Sequence, residues 1–207
     1  MQVLGKAVIP LSVRTFQDEL KQAGINTIVA GGSIRDQVHN REVKDYDLWI
    51  VGDVSHINDK VVNYVYQTMN VYYECNGVYG NYMHEEEKVE SVRDLKDDRY
   101  QGVVKFETKD GYDIDVVLAF DYTDKPPKGL EELLETFDMS LNQYGVNEEG
   151  MIVTKFDGIN VTPVRKDFNQ NRLNYIKGKY PQYCYKECDK LFATPLHFSD
   201  LFKKETK

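Results

Sequence analysis

Residues 29–51 read VAGGSIRDQVHNREVKDYDLWIV, and the order of residue types in that stretch decides the fold. Residues 26–30 lead into it as a short, apolar, β-leaning run, after which Gly31 and Gly32 let the backbone turn sharply and approach a ligand with no Cβ in the way. Ser33 is placed to cap a helix that starts at the turn. The free N–H groups and positive dipole end of that helix would favour phosphate. Arg35 falls in its first turn. Further on, Asp45 and Asp47 alternate with Tyr46, Leu48 and Ile50, so at the period of a strand both carboxylates share one face and the apolar residues the other. Paired carboxylates of this kind can bind Mg²⁺. The stretch therefore predicts a site for a nucleoside triphosphate and its metal ions.

Composition sets the frame. A chain of 207 residues, 41% hydrophobic and 12% aromatic, is long enough for one substantial core and too apolar for disorder, and it reads as one soluble, compact unit. No run approaches the roughly 20 apolar residues that cross a bilayer, and MQVLGKAVIP lacks the pattern of a signal peptide, so a cytoplasmic location and no membrane partner are expected. Three cysteines, Cys75, Cys184 and Cys188, suit a reducing compartment better than a disulfide framework.

The net charge of -8 is unevenly spread, because residues 163–207 hold ten Lys or Arg against five Asp or Glu, with eight Phe or Tyr among them. Basic side chains interleaved with aromatics suit a surface that neutralises phosphates and stacks bases. The same composition also fits a helical cap whose aromatics are core and whose lysines are solvated, and the balance favours the cap slightly.

Along the chain, helix formers at 15–23 end at Gly24, and apolar residues at 57, 61, 62, 65 and 69 form a helical stripe. Residues 74–99 carry mixed charge and several glycines and read as a solvated excursion or a lid. Residues 102–107 and 112–120 are β-leaning runs joined through Asp110-Gly111, which predicts a hairpin. A helix is expected from 130 to about 141, then a turn and short strand over 145–155, then a partly helical segment with breaks at Gly178, Pro181 and Pro195. The expected division is 1–162 as the main domain and 163–207 as a basic, aromatic, mainly helical segment.

The second strand of the hairpin supplies a third carboxylate. Asp113 and Asp115 lie on one face of YDIDVVLAF; Asp115, followed by Val116 and Val117, is favoured over Asp113. Asp45, Asp47 and Asp115 can then hold two metal ions for in-line phosphoryl chemistry. Gly31, Gly32 and Ser33 would cradle phosphates with help from Arg35. Arg41 reaches either phosphate or an acidic neighbour such as Glu42 or Asp45, and Lys44 is similar. Asp36 reads as a structural tie for the glycine turn. Cys184, Cys188 and His197 fall short of a zinc pattern. His84 belongs to a charge run, and His39 and His56 carry no assigned role.

A glycine pair, a gap of about a dozen residues, Asp-x-Asp in a strand and a single Asp in a later strand resemble the nucleotidyltransferase superfamily that includes DNA polymerase beta. GGSIRDQVHNREVKDYDL is similar to the head signature of bacterial-type CCA-adding enzymes and poly(A) polymerases, on Gly31, Gly32, Arg35, Asp36, Arg41, Asp45 and Asp47. A second block, FDMSLNQYGVNEEGMIVTKFDGI, resembles that family through Asp138, Ser140 and Asn142, followed by Asp157 and Gly158. The resemblance runs with gaps over residues 14–162. It implies an α+β nucleotidyltransferase fold, a small mixed sheet flanked by helices, with Asp45, Asp47 and Asp115 as catalytic metal ligands. Asp138 and Asn142 join the nucleotide contacts, through ribose. The implied activity is Mg²⁺-dependent, template-independent transfer of a nucleoside monophosphate from an NTP to an RNA or tRNA 3′ end. Modification of a small molecule or protein, or NTP binding for regulation, are the alternatives. The chain departs from the pattern at Thr136 and Phe137, where the family has two arginines, at Trp49, where smaller residues are common, and at the base-selecting Asp-x-x-Arg, for which Asp167 and Arg172 are the nearest residues.

Overall fold

The computed structural model describes residues 1–43, 45–54, 61–80, 92–93, 102–118, 126–164 and 170–185. Its elements, in chain order, are β1 (Gln2–Lys6), α1 (Leu11–Gln22), β2 (Thr27–Val29), α2 (Gly32–Val38), β3 (Asp45–Ile50), α3 (Val61–Met69), β4 (Glu74–Gly80), β5 (Val92–Arg93), β6 (Gly102–Glu107), β7 (Asp113–Leu118), α4 (Leu130–Glu135), a 3₁₀ turn (Ser140–Asn142), β8 (Tyr144–Val146), β9 (Met151–Thr154) and α5 (Gln170–Lys179).

Six strands form a mixed sheet in the order β2-β3-β7-β6-β4-β5, and β1, β9 and β8 form a second, three-stranded sheet. In the large sheet β3 and β7 are parallel, while β6 and β7 form the antiparallel hairpin that the Asp110-Gly111 turn predicts. Period-two alternation gives the sheet two different faces. Tyr46, Leu48 and Ile50 of β3 and Ile114, Val116 and Leu118 of β7 point into the main core. There they meet Val13, Phe16 and Leu20 of α1 and Val61, Val65 and Met69 of α3, each set spaced three or four residues apart on one helical face. Phe16 packs against Phe106 at 5.2 Å and edge-on to Tyr73 at 4.6 Å between ring centroids.

The opposite face begins with the carboxylates and turns apolar. Trp49, Val51, Val103 and Val117 are buried there beneath Leu133 and Leu134 of α4 and Phe137, so both faces of the inner strands are covered. Aspartates alternating with apolar residues suggest one wet face, but the alternation ends at Trp49, and from that residue on β3 is buried on both sides.

Several elements differ from expectation. β4 is an inner strand of the sheet, with Val78 in the core, where the sequence reads as an excursion; its glycines and charges conceal it, and the remainder of 74–99 other than β5 lies outside the described residues. The helix expected to reach about 141 stops at Glu135. Thr136 closes it by donating its Oγ1 to the Leu133 carbonyl, and the chain then runs extended so that Met139 bridges to Pro163. Residues 145–155 hold two strands, and β1 completes their sheet without any prior signal. α5 runs through Gly178 to Lys179, and the expected break there does not occur. Leu173, Ile176 and Tyr180 are buried in the main core, so α5 packs against the body of the fold. Lys44, His56, Ile57, His84, Asp167, Cys188, Pro195 and His197 lie outside the described residues. No helix among the described residues is long and apolar enough to cross a membrane.

Candidate active site

The site forms where β2 hands over to α2 beside the starts of β3 and β7. Gly31 sits at φ +93, in the region that favours glycine, and its amide donates to the Tyr144 carbonyl at 2.7 Å. A Cβ at Gly31 would stand 3.6 Å from Asp47 Oδ2 and 3.7 Å from Phe137, so the turn runs directly beside the carboxylate. Parallel pairing sets Asp47 opposite Asp115 and Asp45 opposite Asp113. A cavity of about 390 Å³ opens at this point, lined by Gly31, Gly32, Arg35, Asp45, Asp47, Asp115, Asp138 and Asn142 among others. Ligand pockets typically range over about 300–1,000 Å³, so its size suits a small molecule such as a nucleotide.

Of the expected site residues, the structure leaves Ser33 and Arg41 outside the cavity wall, and with them Asp113, the alternative to Asp115. Asp113 is exposed at the start of β7, so Asp115 is the carboxylate of the hairpin that reaches the cavity. Ser33 lies inside the first turn of α2 rather than at its cap, which is Gly31, and its buried hydroxyl has no hydrogen-bond partner among the described residues. Arg41 turns away. Asn40 takes a left-handed conformation that ends α2, Arg41 N–H bonds back to the Asp36 carbonyl, and the Arg41 guanidinium donates to the Lys179 carbonyl while lying 4.9 Å from the centre of the Tyr180 ring. The contact joins the end of α5 to α2, because the Schellman-type end of α2 aims the Arg41 side chain there.

Arg35 reaches the cavity but is held by protein groups. Its Nε donates to Asp36 Oδ1 and to the Tyr180 hydroxyl, both at 2.9 Å, and its Nη1 donates to Asn142 Oδ1. Burial acts to lower the pKa of this guanidinium, but Asp36 and Tyr180 more than offset it, so the net shift is upward. Asp36 is the hub of the same network. It also accepts from Lys179 Nζ at 2.6 Å and from the Tyr180 hydroxyl. Burial acts to raise its pKa, and Arg35, Lys179 and Tyr180 override it to hold the carboxyl below its usual range. The chain of bonds continues from Asn142, which donates to Asp138 at 2.6 Å, to Arg172 of α5, whose Nε donates to Asp138 at 2.5 Å. Arg35, Asp36, Asp138 and Asn142 thus form one buried polar layer between α2, the 3₁₀ turn and α5.

The carboxylates carry the opposite electrostatics. Burial, then Asp115 and Asp45, push Asp47 up to about 7, against smaller opposing effects of Lys105 and Arg172. Burial likewise raises Asp115, opposed by Lys105 and reinforced by Asp45 and Asp113. Lys105 of β6 stands opposite Asp115 in the hairpin and donates its ammonium to Asp115 Oδ2. As placed, no three His, Cys, Asp or Glu side chains among the described residues converge closely enough to hold a metal ion. The donors nevertheless fit Mg²⁺: they are hard carboxylate oxygens, crowded enough to raise one another's pKa, which is the condition a divalent cation relieves.

Two departures from the family pattern explain each other. Trp49 donates its indole N–H to the Ala30 carbonyl at 3.1 Å and packs edge-on to Phe137 with ring centroids 4.9 Å apart. Phe137 fills the space beside Trp49, and Thr136 stands next to it on the cavity wall. Sequence reasoning missed Lys105, Tyr175 and Lys179. Thr108 pairs with Tyr112 across a three-residue loop, which puts Lys105 opposite Asp115, whereas counting outward from a two-residue Asp110-Gly111 turn would put Phe106 there. Arg172, Tyr175, Ile176 and Lys179 repeat at the spacing of one helical face, so that signal was present.

No family model matches the chain, and no curated protein is similar to it in sequence. Solved structures are similar in fold. A CCA-adding enzyme in complex with ATP superposes with a TM-score of 0.57 at 13% identity, over 92% of this chain and 46% of that one. The Thermotoga maritima CCA-adding enzyme complexed with tRNA gives 0.54 at 14% identity, over 92% and 45%. A tRNA nucleotidyltransferase complexed with a primer tRNA and an incoming ATP analogue gives 0.51 at 16%, over 85% and 48%. The chain spans less than half the length of each. With its carboxylates paired across β3 and β7 beside the glycine turn, the chain has the mixed α/β nucleotidyltransferase fold of the head of CCA-adding enzymes.

Proposed function

We propose that this chain transfers a nucleoside monophosphate from an NTP to the 3′ hydroxyl of an RNA, with release of pyrophosphate. The observation that carries the proposal is the in-register pairing of Asp47 with Asp115 at the wall of a cavity that also contains the Gly31-Gly32 turn. The likeness to a CCA-adding enzyme and to a tRNA nucleotidyltransferase, each solved with tRNA, supports RNA as acceptor.

Asp45, Asp47 and Asp115 would hold two Mg²⁺. Those ions would supply charge neutralisation at the α-phosphate and at the attacking and leaving oxygens. The residues of the chain do the rest. Gly31 brings the backbone against Asp47 without side-chain bulk, so the triphosphate has room beside the carboxylates. Arg35 gives the cavity a fixed positive charge, held in place by Asp36 and Asn142. Arg172 and Lys179 place two more cations on the α5 wall. Asp115 would orient the attacking hydroxyl and accept its proton, a role suited to a carboxylate whose pKa is raised by burial.

Incubating the chain with each of four α-labelled NTPs, Mg²⁺ and a mixture of short RNA and total tRNA tests the proposal. Label is expected in RNA, and Asp47→Ala is expected to reduce it by at least about 100-fold, as loss of a group central to charge stabilisation does. Label in a protein or metabolite fraction instead of RNA would replace the acceptor. Absence of transfer to any fraction would end the proposal.

A further inference from the structure

The three carboxylates on β3 and β7 face the cavity, and a fourth, Asp113, stands just outside it. Among the described residues, the cation in direct contact with this group is the ammonium of Lys105, on Asp115 Oδ2. The contact is built into the sheet. β6 and β7 pair so that Lys105 faces Asp115 across the hairpin, and Val103 and Val104 on one side and Phe106 on the other are buried, which fixes the register. The Lys105 side chain is 40% exposed, so its head group has water to move into when it leaves the carboxylate. With that contact in place, no three acidic side chains among the described residues converge closely enough to hold a metal ion.

We propose that Lys105 is a resident counter-ion for Asp115, and that metal binding at Asp115 is an exchange in which a divalent cation displaces the Lys105 ammonium. The inference rests on the metal-dependent function proposed above. Lys105 is a positioning residue. It holds the hairpin carboxylate in its place on β7 while no metal is bound, and it sets the metal concentration at which the site assembles. A charge-assisted hydrogen bond lost on exchange opposes metal binding by about tenfold in affinity, less whatever water recovers at a partly exposed head group. A bare strand of aspartates would bind metal more tightly, and would repel itself more strongly without it.

The test is Mn²⁺ binding to the full chain without nucleotide, read from the free-ion signal in electron paramagnetic resonance at 0.1 M and 0.5 M salt. Lys105→Met is expected to tighten Mn²⁺ binding by roughly three- to tenfold, with most of the gain surviving high salt because the contact is direct. In an Asp115→Asn background the same Lys105 substitution is expected to change binding by less than about twofold, since the direct partner has lost its charge and only the weaker field of Lys105 at Asp47 remains. Lys105→Gln should behave as Lys105→Met and serves if the latter folds poorly. A Lys105 variant within twofold of wild type, or an equal gain with and without the Asp115 charge, overturns the exchange and leaves the proposed function standing. A wild-type chain that binds no Mn²⁺ overturns both.

Discussion

Asp47 shows how a site residue opposes the fold that carries it. Its carboxyl ionises at about 7 in the folded chain against 3.8 ordinarily, through burial and then its two acidic neighbours. Between those values the native state holds a proton that the unfolded chain has released, so metal-free stability falls as pH rises from about 4 to about 7 and levels off above. Asp47→Asn removes its share of the slope and leaves the part due to Asp115. In chelator at pH 8 it should raise Tm by about 10 °C, given about 1.4 kcal/mol per pKa unit and about 2–4 °C per kcal/mol at this chain length. Thermal melts at pH 5 and pH 8 check this, and Mg²⁺ should stabilise wild type but not the variant. Gly31 is the other sensitive position. The space beside it admits a Cβ, but φ +93 does not suit one, so Gly31→Ala should lower stability by about 1–3 kcal/mol in urea unfolding. Both residues were legible in the sequence because a glycine turn and Asp-x-Asp are local patterns. The contacts of Arg35 and Arg41 were not legible, because a phosphate role and a structural role use the same side chains, and their distant partners Asn142, Lys179 and Tyr180 carry no local signal.

Between elements, the decisive join is the polar layer that fastens α5 to α2. Asp36 meets Arg35 on its own helix, Lys179 at the end of α5 and Tyr180 just past it, all largely out of water. Removing the acid leaves buried cationic and hydroxyl groups without their acceptor, so Asp36→Leu should cost about 3–5 kcal/mol, measured by chemical denaturation. The lowered pKa of Asp36 fixes the sign of its pH dependence. Its stabilising effect is complete above the ordinary carboxylate pKa of 3.8 and is lost as pH falls through the lower native value, so the wild-type chain has an acid limb below about pH 4 that Asp36→Asn flattens. Strand pairs with strong local signals were read correctly: Asp110-Gly111 gave the β6-β7 hairpin, and alternation gave β3. β1 and β4 escaped because β1 exposes most of its side chains and β4 mixes glycine with charge, so their strand state comes from ladder hydrogen bonds to β9 and β6 rather than from their own pattern.

At the scale of the molecule, residues 170–185 are tied to the body, because Leu173, Ile176, Tyr180 and Tyr185 are buried in the main core and Arg172 holds Asp138. A chain cut after residue 162 should therefore lose its cooperative unfolding transition or lower its Tm by more than about 10 °C, since four large apolar side chains contribute about 1.5–3 kcal/mol each. The sequence presented this segment as basic and aromatic, which left a nucleic-acid surface and a packed cap both open; burial of two of its tyrosines together with Leu173 and Ile176 shows packing for the described part. The fold as a whole was legible because its signature residues cluster within a few strands of one another. The acceptor was not, since it depends on surfaces that carry no local motif. The central claim, that the paired aspartates of β3 and β7 drive nucleotidyl transfer, is tested most directly by pyrophosphate release from NTP with Mg²⁺ and RNA, comparing wild type with Asp47→Asn. Release by the wild-type chain that tracks label entering RNA and disappears in a folded Asp47→Asn variant is the predicted result; equal release by both, or none by either with any NTP, would contradict it.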